Sequence, residues 1–211
     1  MEILFKDENI VVCVKPVGLL SQADSGGGES MISVLRDKFG TTVYPLHRLD
    51  REVGGVMVYA LTHFAAAKLS ADIAQNRFSK EYIALVHGCP QEAEGVMKDL
   101  LFKDSHRNKS FVVKRERKGV KTASLEYSVI NSVEDDAVSA VRVKLHTGRT
   151  HQIRVQFASR GMPLAGDKKY GARDEFKGIG LWSFRIGFKH PKTGEQMSFQ
   201  TAPNNFISEY L

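Results

Sequence analysis

Thr122-Ala123-Ser124-Leu125-Glu126-Tyr127-Ser128-Val129-Ile130-Asn131-Ser132-Val133, followed closely by Val138-Ser139-Ala140-Val141-Arg142-Val143-Lys144-Leu145-His146, decide the fold class. In the first stretch Ala123, Leu125, Tyr127 and Val129 fall on one face. In the second, Val141, Val143 and Leu145 face one way while Arg142, Lys144 and His146 face the other. A period of two belongs to strands with one face against a core, so the middle of the chain is a run of sheet.

Outward from there, more strands appear than helices. Ile10 to Val14 is a continuous apolar run, as in a strand buried on both faces, and it stops at the turn Lys15-Pro16-Val17-Gly18. Val56 to Leu61 is a second such run, entered through Gly54-Gly55. A helix is predicted from about Thr62, a capping residue, with Ala65, Ala66, Leu69 and Ile73 as its apolar face and an end near Asn76. Lys80 to Val86 reads as a strand ending at Gly88. Thr147-Gly148-Arg149-Thr150 is a turn, and a helix follows from about Thr150 to Ser159, stopped by Gly161. Trp182, Phe184, Ile186 and Phe188 alternate, Pro191-Lys192-Thr193-Gly194 turns the chain, and Met197 to Thr201 returns. Gln22 to Ser30, with Gly26-Gly27-Gly28, reads as a mobile loop inside a domain; it lacks the lysine of a phosphate-cradling loop. Few helices, many strands and short links predict an α+β domain around a mixed, mostly antiparallel sheet, not a doubly wound α/β fold. With no repeat and no linker, residues 1–211 read as one domain.

Composition limits the function classes. The 211 residues are 42% hydrophobic and 26% charged, the balance of a soluble globular protein. Thirty Lys and Arg against 24 Asp and Glu leave a formal charge of +6, which fits a polyanion such as nucleic acid but also suits a basic protein that binds none. Cys13 and Cys89 make no disulfide framework, and no metal spacing of Cys and His is present, so no metal is expected. No signal peptide and no apolar run long enough to cross a bilayer is found, which predicts a cytoplasmic protein, a monomer with no membrane partner.

Three places can carry chemistry. In the loop Pro45-Leu46-His47-Arg48-Leu49-Asp50-Arg51-Glu52, cations flank Asp50 and favour its ionised form, in which a carboxylate can act as a nucleophile. The same residues also read as a solvated turn with surface ion pairs, and His47 with Asp50 supplies only two ligands for a metal. In Leu145-His146-Thr147-Gly148-Arg149-Thr150-His151-Gln152-Ile153-Arg154, the residues Arg149, His151 and Arg154 can meet an internal carboxylate or an RNA phosphate, or form a basic surface turn. Tyr82, in Lys80-Glu81-Tyr82, is either a packing residue or one that stacks on a base.

Taken together and in order, these stretches resemble the RluA-type pseudouridine synthases of the RsuA/RluA superfamily. The resemblance rests on His47-Arg48-Leu49-Asp50-Arg51 before a glycine and an apolar strand, on Lys80-Glu81-Tyr82-Ile83-Ala84-Leu85-Val86-His87-Gly88, and on Gly148-Arg149-Thr150-His151-Gln152-Ile153-Arg154-Val155. It also rests on Gly161 to Gly171 and on the opening Val14-Lys15-Pro16-Val17-Gly18, and it covers nearly the whole chain. One departure is Val53-Gly54, where the family carries Thr-Ser or Thr-Thr, which removes hydroxyls able to bond the loop's own backbone.

The resemblance implies the pseudouridine synthase fold, a central sheet flanked by helices with an active-site cleft across it, and a stand-alone catalytic domain with no S4-like domain in front. It implies isomerisation of uridine in ribosomal or transfer RNA, with no cofactor. It casts Asp50 as nucleophile or base, Arg149 as its partner, Tyr82 as the residue beneath the uracil, and Arg48 as the filler of the gap left by the flipped base. Leu49 and Ile153 wall the pocket. Arg51 and Arg154, with Lys15, Lys168 and Lys169, are candidates for phosphate contact. Two competing readings are a non-catalytic RNA-binding protein on the same fold and a glycoside hydrolase. The second needs two acting carboxylates, where the motifs supply Asp50 alone.

Overall fold

The computed structural model describes residues 1–23, 26–133, 138–203 and 205–211. In chain order the elements are β1 (Ile3–Lys6), β2 (Ile10–Lys15), α1 (Met31–Phe39), β3 (Tyr44–Pro45), β4 (Gly54–Ala60), α2 (His63–Ala74), β5 (Ser79–His87), β6 (Glu94–Asp104) and β7 (Lys109–Val113). They continue as β8 (Val120–Val133), β9 (Val138–Leu145), α3 (Gln152–Ala158), β10 (Leu181–Lys189), β11 (Gln196–Gln200) and α4 (Asn205–Ser208). By internal contacts the chain divides into two units, Met1–Lys80 with Ser183–Ala202, and Glu81–Trp182 with Pro203–Leu211.

In the first unit β2 lies between β1 and β4, with Ile10 opposite Ala60 and Lys15 opposite Gly55, both pairings antiparallel. β10 follows β4, and β11 pairs with β10 as the expected hairpin, Phe188 opposite Met197. Ile10, Val12, Val56, Val58 and Ala60 pack with Phe78, Ile186 and Phe188, and Ala65 and Leu69 of α2 close this core. Apolar area removed from water in this way is the main source of stability. Thr62 caps α2 as read from the sequence, its hydroxyl accepting from the Ala65 N–H at 3.2 Å. Gly55 has a structural reason to be glycine: its φ is +120°, and a Cβ there would sit 2.2 Å from the Ser183 carbonyl oxygen.

α1 was not foreseen. It starts with a capping box made of two serines, Ser30 and Ser33, and ends on Gly40 in the left-handed region, φ 63°. It therefore follows directly on the Gln22–Ser30 stretch expected as a loop, of which Asp24 and Ser25 lie outside the described residues.

In the second unit the strand order is β5-β9-β8-β6-β7, and these pairings are antiparallel. Ala123, Leu125, Val141 and Val143 are buried, as their alternation requires. The alternation of β8 breaks where the register shifts between Val129 and Asn131, a bulge that leaves Ile130 45% exposed. The sequence alone does not mark the β6–β7 hairpin because its apolar residues do not alternate: Val96 is exposed beside buried Met97, and Leu100, Leu101 and Phe102 run together. α3 packs against β6 and β7 and buries every residue from Gln152 to Phe157. These features place the chain in the α+β class with a largely antiparallel arrangement, as the sequence indicated.

Candidate functional site

The loop from Leu46 to Val53 connects β3 to β4 in the first unit. Both neighbours of Asp50 are held through their main chain by side chains from the N-terminal part of the chain. The buried Ser21 hydroxyl accepts from the Leu49 N–H at 3.0 Å and donates to the Leu49 carbonyl at 2.8 Å. The Arg51 carbonyl accepts from Lys15 Nζ at 3.2 Å and from the Gly18 N–H at 2.9 Å. Arg51 Nε returns a bond to the Gly18 carbonyl at 2.9 Å. The Val53 N–H reaches the Asp50 carbonyl at 3.0 Å and closes a four-residue turn. That turn closes without the hydroxyls missing at Val53-Gly54. Asp50 itself is half-buried, Leu49 is buried, and Arg48 and Arg51 are exposed.

Lys15 is fully buried, and its three ammonium donors meet three carbonyls: Pro16 at 2.8 Å, Leu19 at 2.6 Å and Arg51. Burial pushes its pKa down to about 8, while the negative charges of Glu52 and Asp50 pull the other way. The expectation that Lys15 contacts RNA phosphate is therefore corrected, because its ammonium is enclosed and satisfied inside the loop. His47 is neutral: burial, with the nearby charge of Lys80, pushes its pKa down to about 3. Its Nε2 accepts from the Val58 N–H at 3.2 Å, which takes that nitrogen out of any metal coordination.

The remaining candidates lie in the second unit. Tyr82 is 6% exposed, near the start of β5, opposite Val143 of β9. Beside it Glu81 Oε2 accepts from Arg142 Nε at 2.7 Å. Arg149 occupies the turn after β9. Its N–H donates to Gln152 Oε1 at 3.0 Å, and its Nε donates to the Thr122 carbonyl at 2.9 Å. The Gln152 side chain also accepts from Thr147 Oγ1 at 2.8 Å and donates to the Ser124 carbonyl at 3.1 Å, tying the turn to β8. α3 begins at Gln152 rather than Thr150, because His151 adopts the left-handed region at φ 54°. The His151 ring nitrogen Nδ1 lies 2.9 Å from the Tyr170 hydroxyl.

Ile153 is 4% exposed and Arg154 5%. Of the two fates open to Arg154, the structure supplies the internal carboxylate: its Nε and Nη2 meet Asp167 Oδ2 and Oδ1 at 2.6 and 2.8 Å, both side chains buried. A bidentate buried pair of this kind has no donor face turned to solvent, so the phosphate-contact expectation for Arg154 is corrected. Lys168 and Lys169 are exposed. Ser21, which lies outside every motif, and Gln152, which sits inside one with no role assigned from sequence, hold the backbone of the two motif turns.

A model of the RNA pseudouridylate synthase family matches residues 9–159. The chain is 34% identical over 215 residues to the dual-specificity RNA pseudouridine synthase RluA of Escherichia coli (strain K12), covering 97% of this chain and 93% of that protein. It is 33% identical over 230 residues to an uncharacterized RNA pseudouridine synthase of Aquifex aeolicus (strain VF5), covering 100% of this chain and 72% of that one. In fold it is similar to human RNA pseudouridylate synthase domain containing 4, with a TM-score of 0.81 at 22% identity over 99% of this chain and 91% of the other.

Proposed function

The chain belongs to the RNA pseudouridylate synthase family and is an isomerase acting on RNA; from that premise we propose that Asp50 is its nucleophile, that Arg149 pairs with Asp50 to hold it ionised, that Tyr82 stacks on the target uracil, and that Arg48 enters the RNA where the base has left. The substrate is a uridine in ribosomal or transfer RNA.

The reaction breaks the bond from ribose C1′ to uracil N1, rotates the base and joins C1′ to C5; C5 loses its proton and N1 gains one. Its atoms balance without redox or an energy source, so the residues need only generate a reactive centre and hold the base. A carboxylate serves if it stays ionised and does not move, since fixed geometry replaces the entropy of bringing reactants together. The observation that carries the proposal is the double anchoring of Asp50: Leu49 on one side and Arg51 on the other are bonded through their main chain to the buried Ser21 and Lys15. Such a shell fits a catalytic side chain better than a solvated turn. Exposed Arg48 suits a planar group that must enter a duplex, and buried Leu49 and Ile153 suit the apolar walls of a base pocket. Exposed Arg51, Lys168 and Lys169 remain candidates for phosphates.

The test is a map of pseudouridines in total RNA from cells with and without the gene. A site that disappears on deletion, returns with wild type and stays absent with Asp50→Ala identifies the substrate and supports the nucleophile. RNA binding that survives Asp50→Ala, with no product from wild type, supports a non-catalytic RNA-binding protein instead.

A further inference from the structure

A dense run of positive charge spans one connection and the first residues of the strand that follows it. Lys114-Arg115-Glu116-Arg117-Lys118-Gly119-Val120-Lys121 carries five cations and one carboxylate, whereas the whole protein has a net formal charge of +6. This segment joins β7 to β8 and borders a cavity of about 580 Å³ lined by Leu100, Glu116, Arg117, Lys121, Thr122 and Arg149, among others. That volume lies in the range of sites that hold small ligands.

The connection is built as a turn. The Val120 N–H donates to the Arg117 carbonyl at 3.0 Å, and Gly119 takes a φ of +88° that side-chain-bearing residues rarely adopt. The Arg117 guanidinium lies over the Phe102 ring, 4.6 Å from its centroid, so ring and turn together orient it. Arg117, Lys118 and Lys121 are exposed. Arg149, to which the proposed function gives a role in the reaction, is in the cavity lining and donates to the carbonyl of Thr122, another lining residue.

We propose that the turn from Lys114 to Lys121 and its cavity bind the sugar–phosphate backbone of the RNA strand next to the target uridine. The inference rests on the RNA-isomerase reading and adds the path of the strand. A planar guanidinium held against a ring presents paired donors suited to phosphate oxygens. Glu116 on the same lining disfavours a small free anion at that spot. A strand contacting several cations at once gains more from them than it loses to one carboxylate, and its binding carries the salt dependence of counterion release.

The experiment uses the full chain with Arg117→Met, Lys118→Gln and Lys121→Gln combined. Arg117→Met keeps an apolar stem over Phe102, and a thermal melt verifies the fold. Turnover is measured on total RNA from cells lacking the gene, and affinity by anisotropy of a short fluorescent oligouridylate. The expected result is a rise of about tenfold or more in KM and Kd, a kcat close to wild type, and a salt slope shallower by roughly two, as for three lost phosphate contacts. Lys118→Glu with Lys121→Glu, both at exposed positions, should weaken binding further. Unchanged KM, Kd and salt slope in both variants would overturn the site. Failure of the underlying reading looks different: wild type then makes no pseudouridine, while the oligouridylate measurement still tests the turn.

Discussion

The Asp50 loop and the Arg149 turn are each short and motif-bearing, and in each a side chain holds the backbone, yet only the second also rests on a buried ion pair. Around Asp50 the charged side chains Arg48 and Arg51 stay at the surface, and the fixing falls on main-chain groups bonded to buried Ser21 and Lys15. Around Arg149 the Gln152 side chain likewise holds the main-chain N–H and ties the turn to β8, but there Arg154 is also enclosed against Asp167. A loop held by its backbone can vary its outward side chains and keep its shape. A turn held through a buried ion pair depends on that pair, because one partner without the other leaves an uncompensated charge.

The largest expected effect separates catalysis from scaffolding. Asp50→Asn should lower kcat by about a thousandfold or more, the scale at which removal of a nucleophile acts, with the melting temperature close to wild type. A variant that melts early instead would show Asp50 to be a structural member of its own loop. Next comes the buried pair. Arg154→Ala should cost about 3–5 kcal/mol in unfolding free energy, measured by urea titration, while Arg154→Met combined with Asp167→Leu recovers most of it. If the double variant folds but loses RNA affinity together with part of its salt dependence, Arg154 contacts phosphate after all and the contrast between the two turns fails. Smaller again is Ser21→Ala, which strips the Leu49 N–H of its buried acceptor at a cost of about 1–3 kcal/mol. Because it frees the backbone beside Asp50, it should lower kcat by about ten- to a hundredfold with little change in KM. An unchanged kcat would mean that Leu49 stays in place without Ser21.

How much of this was legible in the sequence depends on distance along the chain. The Thr62 cap, the Gly54-Gly55 entry to β4 and the inward faces of Ala123, Leu125, Val141 and Val143 are local signals that appear in the fold, while the alternation expected through Val133 breaks at the β8 bulge. α1 was missed because its capping box uses Ser33 where the recognisable pattern has Glu or Gln. Ser21 and Lys15 act 28 and 36 residues away from Leu49 and Arg51, and nothing in their own neighbourhood marks the target. The inward turn of Arg154 follows from α3 being buried along its length, which a motif read as a string cannot reveal. The basic run at Lys114 is not marked by any motif, and its place beside Arg149 depends on the β6–β7 hairpin, whose apolar residues do not alternate.

A further effect is a pH dependence specific to the Asp50 loop. The Lys15 pKa is about 8 in the folded protein against an ordinary 10.5, lowered by burial. Between those values the unfolded chain binds more protons than the folded one, so stability attributable to Lys15 rises as pH rises through that window. The geometry moves the other way. The ammonium offers three N–H donors to the carbonyls of Pro16, Leu19 and Arg51, whereas the neutral amine has only two, so one of these bonds is lost above pH 8. Wild type should therefore become more stable relative to Lys15→Met between pH 8 and pH 10.5 by urea titration of the protein alone, even as its kcat declines on the alkaline side of pH 8. Stability and turnover moving in opposite directions over one titration identify Lys15 as the anchor of the nucleophile's loop. A difference from Lys15→Met that stays flat with pH means that the buried amine does not titrate there, and the account of how the loop is held must then rest on Ser21 and Gly18.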